Sequence, residues 1–551
     1  MKLYKYRILL IPFFLLFYTF SVHSQQNNTP SKNFTIMCVA AHPDDEDGAT
    51  LAYYSKIKGY KSYTIFYTRG EGGQNEIGPE LYGDLGKIRE KECGDAAQIT
   101  GSIPLFLGFL DFGFSKTAKE TFKFWGGEDA VLARIVYFIR QIKPDVIITN
   151  HDTITTKPRR QHGNHQAVGI SIFDAFEKAA DPEYLPEQLT NGITPWQVKK
   201  LYFRVTDTLR FGQLVSIDIN QKDTSGIVIN DLAIQALSKH RTQGMDKIDW
   251  KTIPEVYKER RYELVRFDKP YLFDDKDLFS GLVPDSISKP NVIPISYQTV
   301  YHYPKKTSVS EIQTMLEQDN NTYPHLKSAD IAKILQYGLV KTYDSSIVNF
   351  FHDMNINYSY LDSLALANDS LTEYDVIILD MRAYFYRKDV VQYNDRLLEY
   401  VNKGGNIICL YNKNFDWNVG KNYAPYPLYV TTDRVTQEDA EVTELMNFKY
   451  FYIPYTIFEQ DWNGWIQERN IYLPSDDSTK TSSQYKRLLA MQDEDDPVPP
   501  TSLLVAQYGA GTYTYCTLAL YRQLQILNSG AVKLFLNMLF QHNANNKKFG
   551  K

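Results

Sequence analysis

Short apolar runs alternate with longer amphipathic stretches through the first half of the chain. Residues 34–40, 62–68, 103–107 and 145–149 are compact and rich in aliphatic, aromatic and β-branched side chains, which predicts strands; 49–58, 85–100 and 131–142 repeat with a helical period. Strands alternating with helices imply a parallel sheet covered by helices. In open sheets of this kind ligands sit beyond the carboxyl ends of the strands. Polar residues gather there: His42, Asp44 and Asp45 after the first run, Arg69 after the second, Asp111 after the third, Asn150 and His151 after the fourth. The pattern predicts one cleft.

Residues 266–325 are rich in Pro, Asp, Ser and Lys and read as a linker with short extended pieces. A second α/β unit is expected over 326–551, with strands at 334–340, 375–380 and 406–411 and helices at 347–354 and 390–402. Lys403-Gly404-Gly405 is a helix stop feeding the third of these strands.

Length and charge agree with this division. A chain of 551 residues exceeds one ordinary core, and a formal charge of −5 without basic blocks argues against nucleic acid as a partner. Lys2, Lys5 and Arg7 precede an uncharged, mostly apolar run at 8–20 and then Ser21-Val22-His23-Ser24. This is the layout of a secretory signal peptide over 1–24, too short for a membrane span; the mature chain is expected to begin near Gln25, in the periplasm or outside the cell, with no stable membrane insertion. Cys38, Cys409 and Cys516 lie in strand-like runs and Cys93 in a helical one, which suits buried free thiols. The 41 tyrosines suit sugar-facing clefts, although most are expected to be ordinary packing residues.

His42-Pro43-Asp44-Asp45-Glu46 places a histidine and three acids directly after a buried strand, which suits a metal site. His162 and His165, three apart at the entrance of a helix-like run, can face one cavity. Two histidines, one carboxylate and an open position for water make the ligand pattern of catalytic zinc, and the same set suits non-haem iron(II). Pro-Asp-Asp is also a turn signal, so capping is the competing role for His42 and Asp45.

Together with Thr68-Arg69-Gly70-Glu71-Gly72-Gly73-Gln74-Asn75, Arg89, Glu92 and Asp111, these motifs resemble the LmbE/PIG-L family of metal-dependent N-acetylglucosaminyl deacetylases and related amidases, from about residue 34 to about 243. The resemblance implies a Rossmann-like deacetylase domain over 33–265. It implies His42, Asp45 and His165 as metal ligands, with zinc as the metal and iron(II) as the alternative. Asp44 becomes the general base, and His162 the general acid or the group that steadies the transition state. Arg89 and Asp111 become sugar contacts. Arg160 stands where some members carry a tyrosine that polarises the substrate carbonyl; an arginine can stabilise an oxyanion there.

The second half resembles a flavodoxin-like, glutamine-amidotransferase-like domain. There the nucleophile would be a cysteine on a strand-to-helix turn, but Cys409 sits inside a strand and 412–422 shows no helical pattern. This half is expected to do no covalent chemistry, to dock the enzyme or shape its cleft, and to be separable from the first. The expected activity is removal of acetyl from an N-acetylglucosamine-type sugar or glycoconjugate. The alternatives are cleavage of a non-sugar amide conjugate and non-catalytic glycan binding.

Overall fold

The computed structural model describes residues 34–154, 161–206, 212–252, 259–284, 304–319, 335–494, 496 and 501–541; the leader and Arg160 lie outside them. Among the described residues the first half forms a seven-stranded sheet: β1 (Thr35–Ala40), β2 (Lys61–Phe66), β3 (Ser102–Phe106), β4 (Val146–Thr149), β5 (Lys200–Arg204), β6 (Leu214–Ile217) and β7 (Arg260–Phe267), in the order β3-β2-β1-β4-β5-β7-β6. β3, β2, β1, β4 and β5 run parallel, and β7 and β6 close the edge antiparallel. Strand order reverses direction at β1, between β2 and β4, which opens a crevice at the carboxyl ends of β1 and β4.

All of β1 is buried. Met37 and Val39 point to one face, against Ile135, Phe138, Val168 and Ile172 of helices α1 (Glu128–Ile142) and α2 (Gly163–Lys178). Ile36 and Cys38 point to the other, against Leu51, Tyr54 and Leu232. Each such aliphatic side chain contributes about 1.5–3 kcal/mol by leaving water. The strand is thereby fixed in register, and with it the turn that follows.

In the second half β8 (Tyr337–Val340), β9 (Ser359–Tyr360), β10 (Val376–Leu379) and β11 (Asn406–Leu410) form the parallel side of a second sheet. A short pair, β12 (Arg434–Val435) and β14 (Asn470–Ile471), stands apart from it. β13 (Val442–Glu444), β15 (Lys486–Met491), β16 (Thr501–Tyr508) and β17 (Gly511–Cys516) complete the sheet, in the order β13-β15-β16-β17-β11-β10-β8-β9. The mixed α/β class and the two sheets agree with the sequence reading, and all four cysteines are buried and free.

Three features differ. The expected linker contains a helix, Val309–Asp319, whose Ile312 and Leu316 join the second core. Its signal was a capping box: Ser308 Oγ accepts from Glu311 N at 3.2 Å and Glu311 Oε2 accepts from Ser308 N at 2.9 Å. The helix expected at 390–402 is broken at Tyr393 into Lys388–Gln392 and Asn394–Asn402. A single helical turn, Asn414–Trp417, follows β11 where no helix was expected.

Candidate metal centre and active site

The chain leaves β1 at Ala40 and folds back over residues 42–45. Asp45 N donates to His42 O at 3.3 Å, and Asp45 Oδ2 accepts from His42 N at 2.9 Å. The same oxygen lies 3.1 Å from His42 Nδ1 and 3.2 Å from His165 Nε2. His162 is the N-cap of α2 and His165 lies in its first turn, so both rings face the crevice, with centroids 3.6 Å apart. Asn164 between them is buried; its Oδ1 accepts from Ser115 Oγ and Thr121 Oγ1 at 3.0 and 2.8 Å, and its Nδ2 lies 3.0 Å from His42 Nε2.

The helix can start here only because residue 163 is glycine. A Cβ would collide with the carbonyl oxygen of Thr117 and the hydroxyl of Ser115. Gly163→Ala is therefore expected to push the start of α2 off its seat, lower Tm by several degrees and weaken metal retention; a variant with unchanged Tm and metal content would contradict this packing account.

The donor chemistry fits a small divalent cation. Atoms bound tetrahedrally at about 2.0–2.1 Å stand about 3.3 Å apart, close to the two edges that meet at Asp45 Oδ2, whereas His42, Asp45 and His165 do not offer three ligand atoms that all lie within 4.8 Å of one another. Burial opposes Asp45 ionisation, but the charge of His165 and hydrogen bonds from His165 and His42 hold its carboxyl well below the usual range. Two overlapping groups have ligand atoms within 4.8 Å of one another: His42, His162 and His165, and Asp45, His151 and His165. His151 is otherwise engaged, because its Nε2 accepts from Ala41 N at 3.0 Å. Asn150 Nδ2 donates to Asp45 O at 2.7 Å, so the end of β4 supports the turn after β1. His162 is held neutral by burial and by the neighbouring His165 and His42.

Asp44 stands beside this set with φ +85°, a left-handed backbone that costs about 1–3 kcal/mol outside glycine. Two long-range contacts hold it. Glu46 Oε2 accepts from Asp44 N at 3.0 Å while Glu46 Oε1 pairs with buried His240 Nε2 at 2.8 Å, and Gln243 Nε2 donates to Pro43 O at 2.6 Å. Burial and then the Asp45 charge push the Asp44 carboxyl up to about 7, against the pull of His240.

Residues 37–176 match the family described as PIG-L, GlcNAc-PI de-N-acetylase. These residues are a PIG-L family domain. A mycothiol S-conjugate amidase of Streptomyces coelicolor is 28% identical over 291 residues, 45% of this chain and 97% of that protein. A 1D-myo-inositol 2-acetamido-2-deoxy-alpha-D-glucopyranoside deacetylase 2 of Saccharopolyspora erythraea is 33% identical over 185 residues, 30% of this chain and 64% of that protein. A solved N,N'-diacetylchitobiose deacetylase from Pyrococcus horikoshii covers 43% of this chain and 84% of its own, at 18% identity and a TM-score of 0.33.

The PIG-L domain does not close its own cavity. A space of about 410 Å³ is lined on one side by His42, Asp44, Asp45, Arg89, Asp111, His162 and His165, and on the other by Tyr411, Lys413, Arg434, Glu468, Tyr472 and Arg522 of the second half. The halves are tied across it: Gln74 Nε2 donates to Tyr411 Oη at 2.8 Å, Arg522 to Gly72 O at 2.7 Å, and Lys116 pairs with Asp493 at 2.7 Å. A chain cut in the linker would therefore keep the PIG-L domain but lose this wall of the site.

Arg89 reaches the cavity, but its guanidinium also holds the PIG-L domain together, donating to Gly70 O, Gln74 O and Thr242 Oγ1. Asp111 accepts from Gly113 N at 2.8 Å and lies 4.0 Å from His42 Nε2. The second-half wall agrees with the expectation that this half shapes the cleft, whereas Asn164 and the pairing of Glu46 with His240 escaped the sequence reading. Tyr411 and Lys413 carried a usable signal, because they directly follow a parallel strand.

Proposed function

We propose that the chain is an exported, zinc-dependent hydrolase that removes the N-acetyl group from an N-acetylglucosamine-type sugar or glycoconjugate. The observation that carries this reading is that one oxygen of Asp45 lies 3.1 Å from His42 Nδ1 and 3.2 Å from His165 Nε2, with Asp44 beside them on the same cavity. The names of the relatives support the substrate class.

A divalent ion held by His42, Asp45 and His165 would supply Lewis acidity toward the amide carbonyl and acidify water. Asp44 takes the proton of the attacking water as the new C–O bond forms, and returns it to nitrogen as the C–N bond breaks, so that acetate and a free amine leave. His162, neutral through burial, donates an N–H hydrogen bond to the oxyanion. Asp111 accepts from a sugar hydroxyl. Gly73 and Gln74 of the loop after β2, together with Arg89, line the same cavity and would border the sugar ring.

A second reading, cleavage of a non-sugar amide conjugate, is favoured by the amidase relative. One experiment separates them. The chain is recovered from the periplasm with its N-terminus near Gln25, and acetate release is assayed on N-acetylglucosamine compounds and on amide conjugates, with and without chelator. Acetate from the sugars that stops with chelator and returns with zinc is the expected result. Release unaffected by chelator, or confined to non-sugar amides, overturns the reading.

A further inference from the structure

Among the described residues Lys413 has no ion-pair partner within 4 Å. It follows β11 and lines the wall of the cavity contributed by the second half. Its ammonium makes no ion pair or hydrogen bond among the described residues and only approaches the Phe415 ring, 5.6 Å from the centroid. The acids around it are engaged elsewhere. Asp416 is held by Arg382 Nε and Nη2 at 2.8 and 3.2 Å. Glu76 accepts from Lys247 Nζ at 3.0 Å and from Tyr386 Oη at 3.2 Å. Glu468 is shared between Arg434 and Arg522. Among the second-half residues that line the cavity, three are cations, Lys413, Arg434 and Arg522, and one is an acid, Glu468, while Glu76 lines it from the PIG-L side.

The excess positive charge is presented to the space where the substrate is expected. Burial, then the neighbouring Arg382, pulls Lys413 down to about 8. A half-buried ammonium crowded by guanidiniums is unfavourable until an anion reaches it, and a neutral hydroxyl would leave its charge uncompensated. Arg434 is fixed in place, with its guanidinium carbon 4.3 Å from the Phe114 centroid and 4.7 Å from that of Tyr472, so it cannot swing away to relieve the crowding.

We infer that the second half supplies a subsite, centred on Lys413, for an anionic substituent (a carboxylate or a phosphate ester) on the amino sugar whose acetamido group faces His42, Asp45 and His165. The inference rests on the substrate class proposed above and extends it. It also gives the second half a purpose that needs no chemistry of its own.

Binding read without turnover tests it. The full chain bearing Asp44→Asn, loaded with zinc, is titrated by calorimetry with three sugars that share one ring: N-acetylglucosamine, N-acetylmuramic acid, which adds a carboxylate, and N-acetylglucosamine 6-phosphate. At least one anionic sugar is expected to bind roughly tenfold or more tightly than the neutral one, as a charge-assisted contact allows. The preferred sugar tells carboxylate from phosphate. Lys413→Met should bring its affinity down to that of N-acetylglucosamine, Lys413→Arg should keep the preference, and added salt should erode it. Three equal affinities, no binding of any of them, or an equal loss for all three in Lys413→Met overturns the inference. Acetate release is measured separately, so the binding difference is readable even if the hydrolytic reading fails.

Discussion

Asp44→Asn is expected to keep its metal and lose turnover by about 10²–10⁴, the usual contribution of a positioned base. The amide has the same shape as the acid, so Pro43 and Glu46 can still hold the left-handed turn. Its carbonyl oxygen still accepts hydrogen bonds but is far too weakly basic to take a proton from water. Stability should not suffer. Burial raises the Asp44 carboxyl to about 7. A group raised in this way contributes stability at low pH that is lost as pH climbs through about 7. The neutral amide escapes that loss, so above pH 7 the variant should melt at or above the temperature of the parent chain. In the parent, the acid limb of kcat/KM should fall at or below about 7, because a cation bound nearby favours the ionised carboxylate. If Asp44→Asn instead loses metal and recovers activity on added zinc, Asp44 is a ligand and not the base.

Local signals explain what the sequence revealed. β1 and its turn were legible because an unbroken apolar run and a five-residue polar motif lie side by side. The parallel strands β2 and β4 were legible for the same reason, being buried on both faces, whereas β3, at the sheet edge with Ile103 exposed, was legible from its apolar run alone. β5 was not, since Lys200 and Arg204 flank only three apolar residues. Lys200 is nevertheless buried, and the fold accommodates it by donating Nζ to Ser280 O at 2.7 Å, a partner eighty positions away. The clamp on Asp44 was only partly legible: His240 closes a helical run, but its partner Glu46 lies 194 residues away. That the second half shapes the cleft was legible as an expectation, and the rule that strand ends carry ligands marks Tyr411 and Lys413 as residues of its wall. What remains beyond any sequence pattern is the docking of the halves, which depends on single contacts such as Gln74 with Tyr411.

His165→Ala should strip the protein of stoichiometric metal and reduce turnover to background. His165 is the one residue common to both groups of potential ligands, the first with His42 and His162, the second with Asp45 and His151. Losing it therefore breaks the site whichever group binds. Removal of groups that only orient ligands commonly costs 10–100-fold in metal affinity, so loss of a ligand should exceed roughly 100-fold. The companion variants divide the remaining cases. His162→Ala should retain metal and lose rate, because the imidazole is assigned to the oxyanion. His151→Ala should retain metal as well, its Nε2 being committed to the Ala41 N–H. Metal content by mass spectrometry, with circular dichroism as the control for folding, reads all three. Full occupancy in His165→Ala would sink the ligand assignment, and loss of metal in His162→Ala would move the site toward the three-histidine group, leaving Asp45 as the acid that orients His42 and His165.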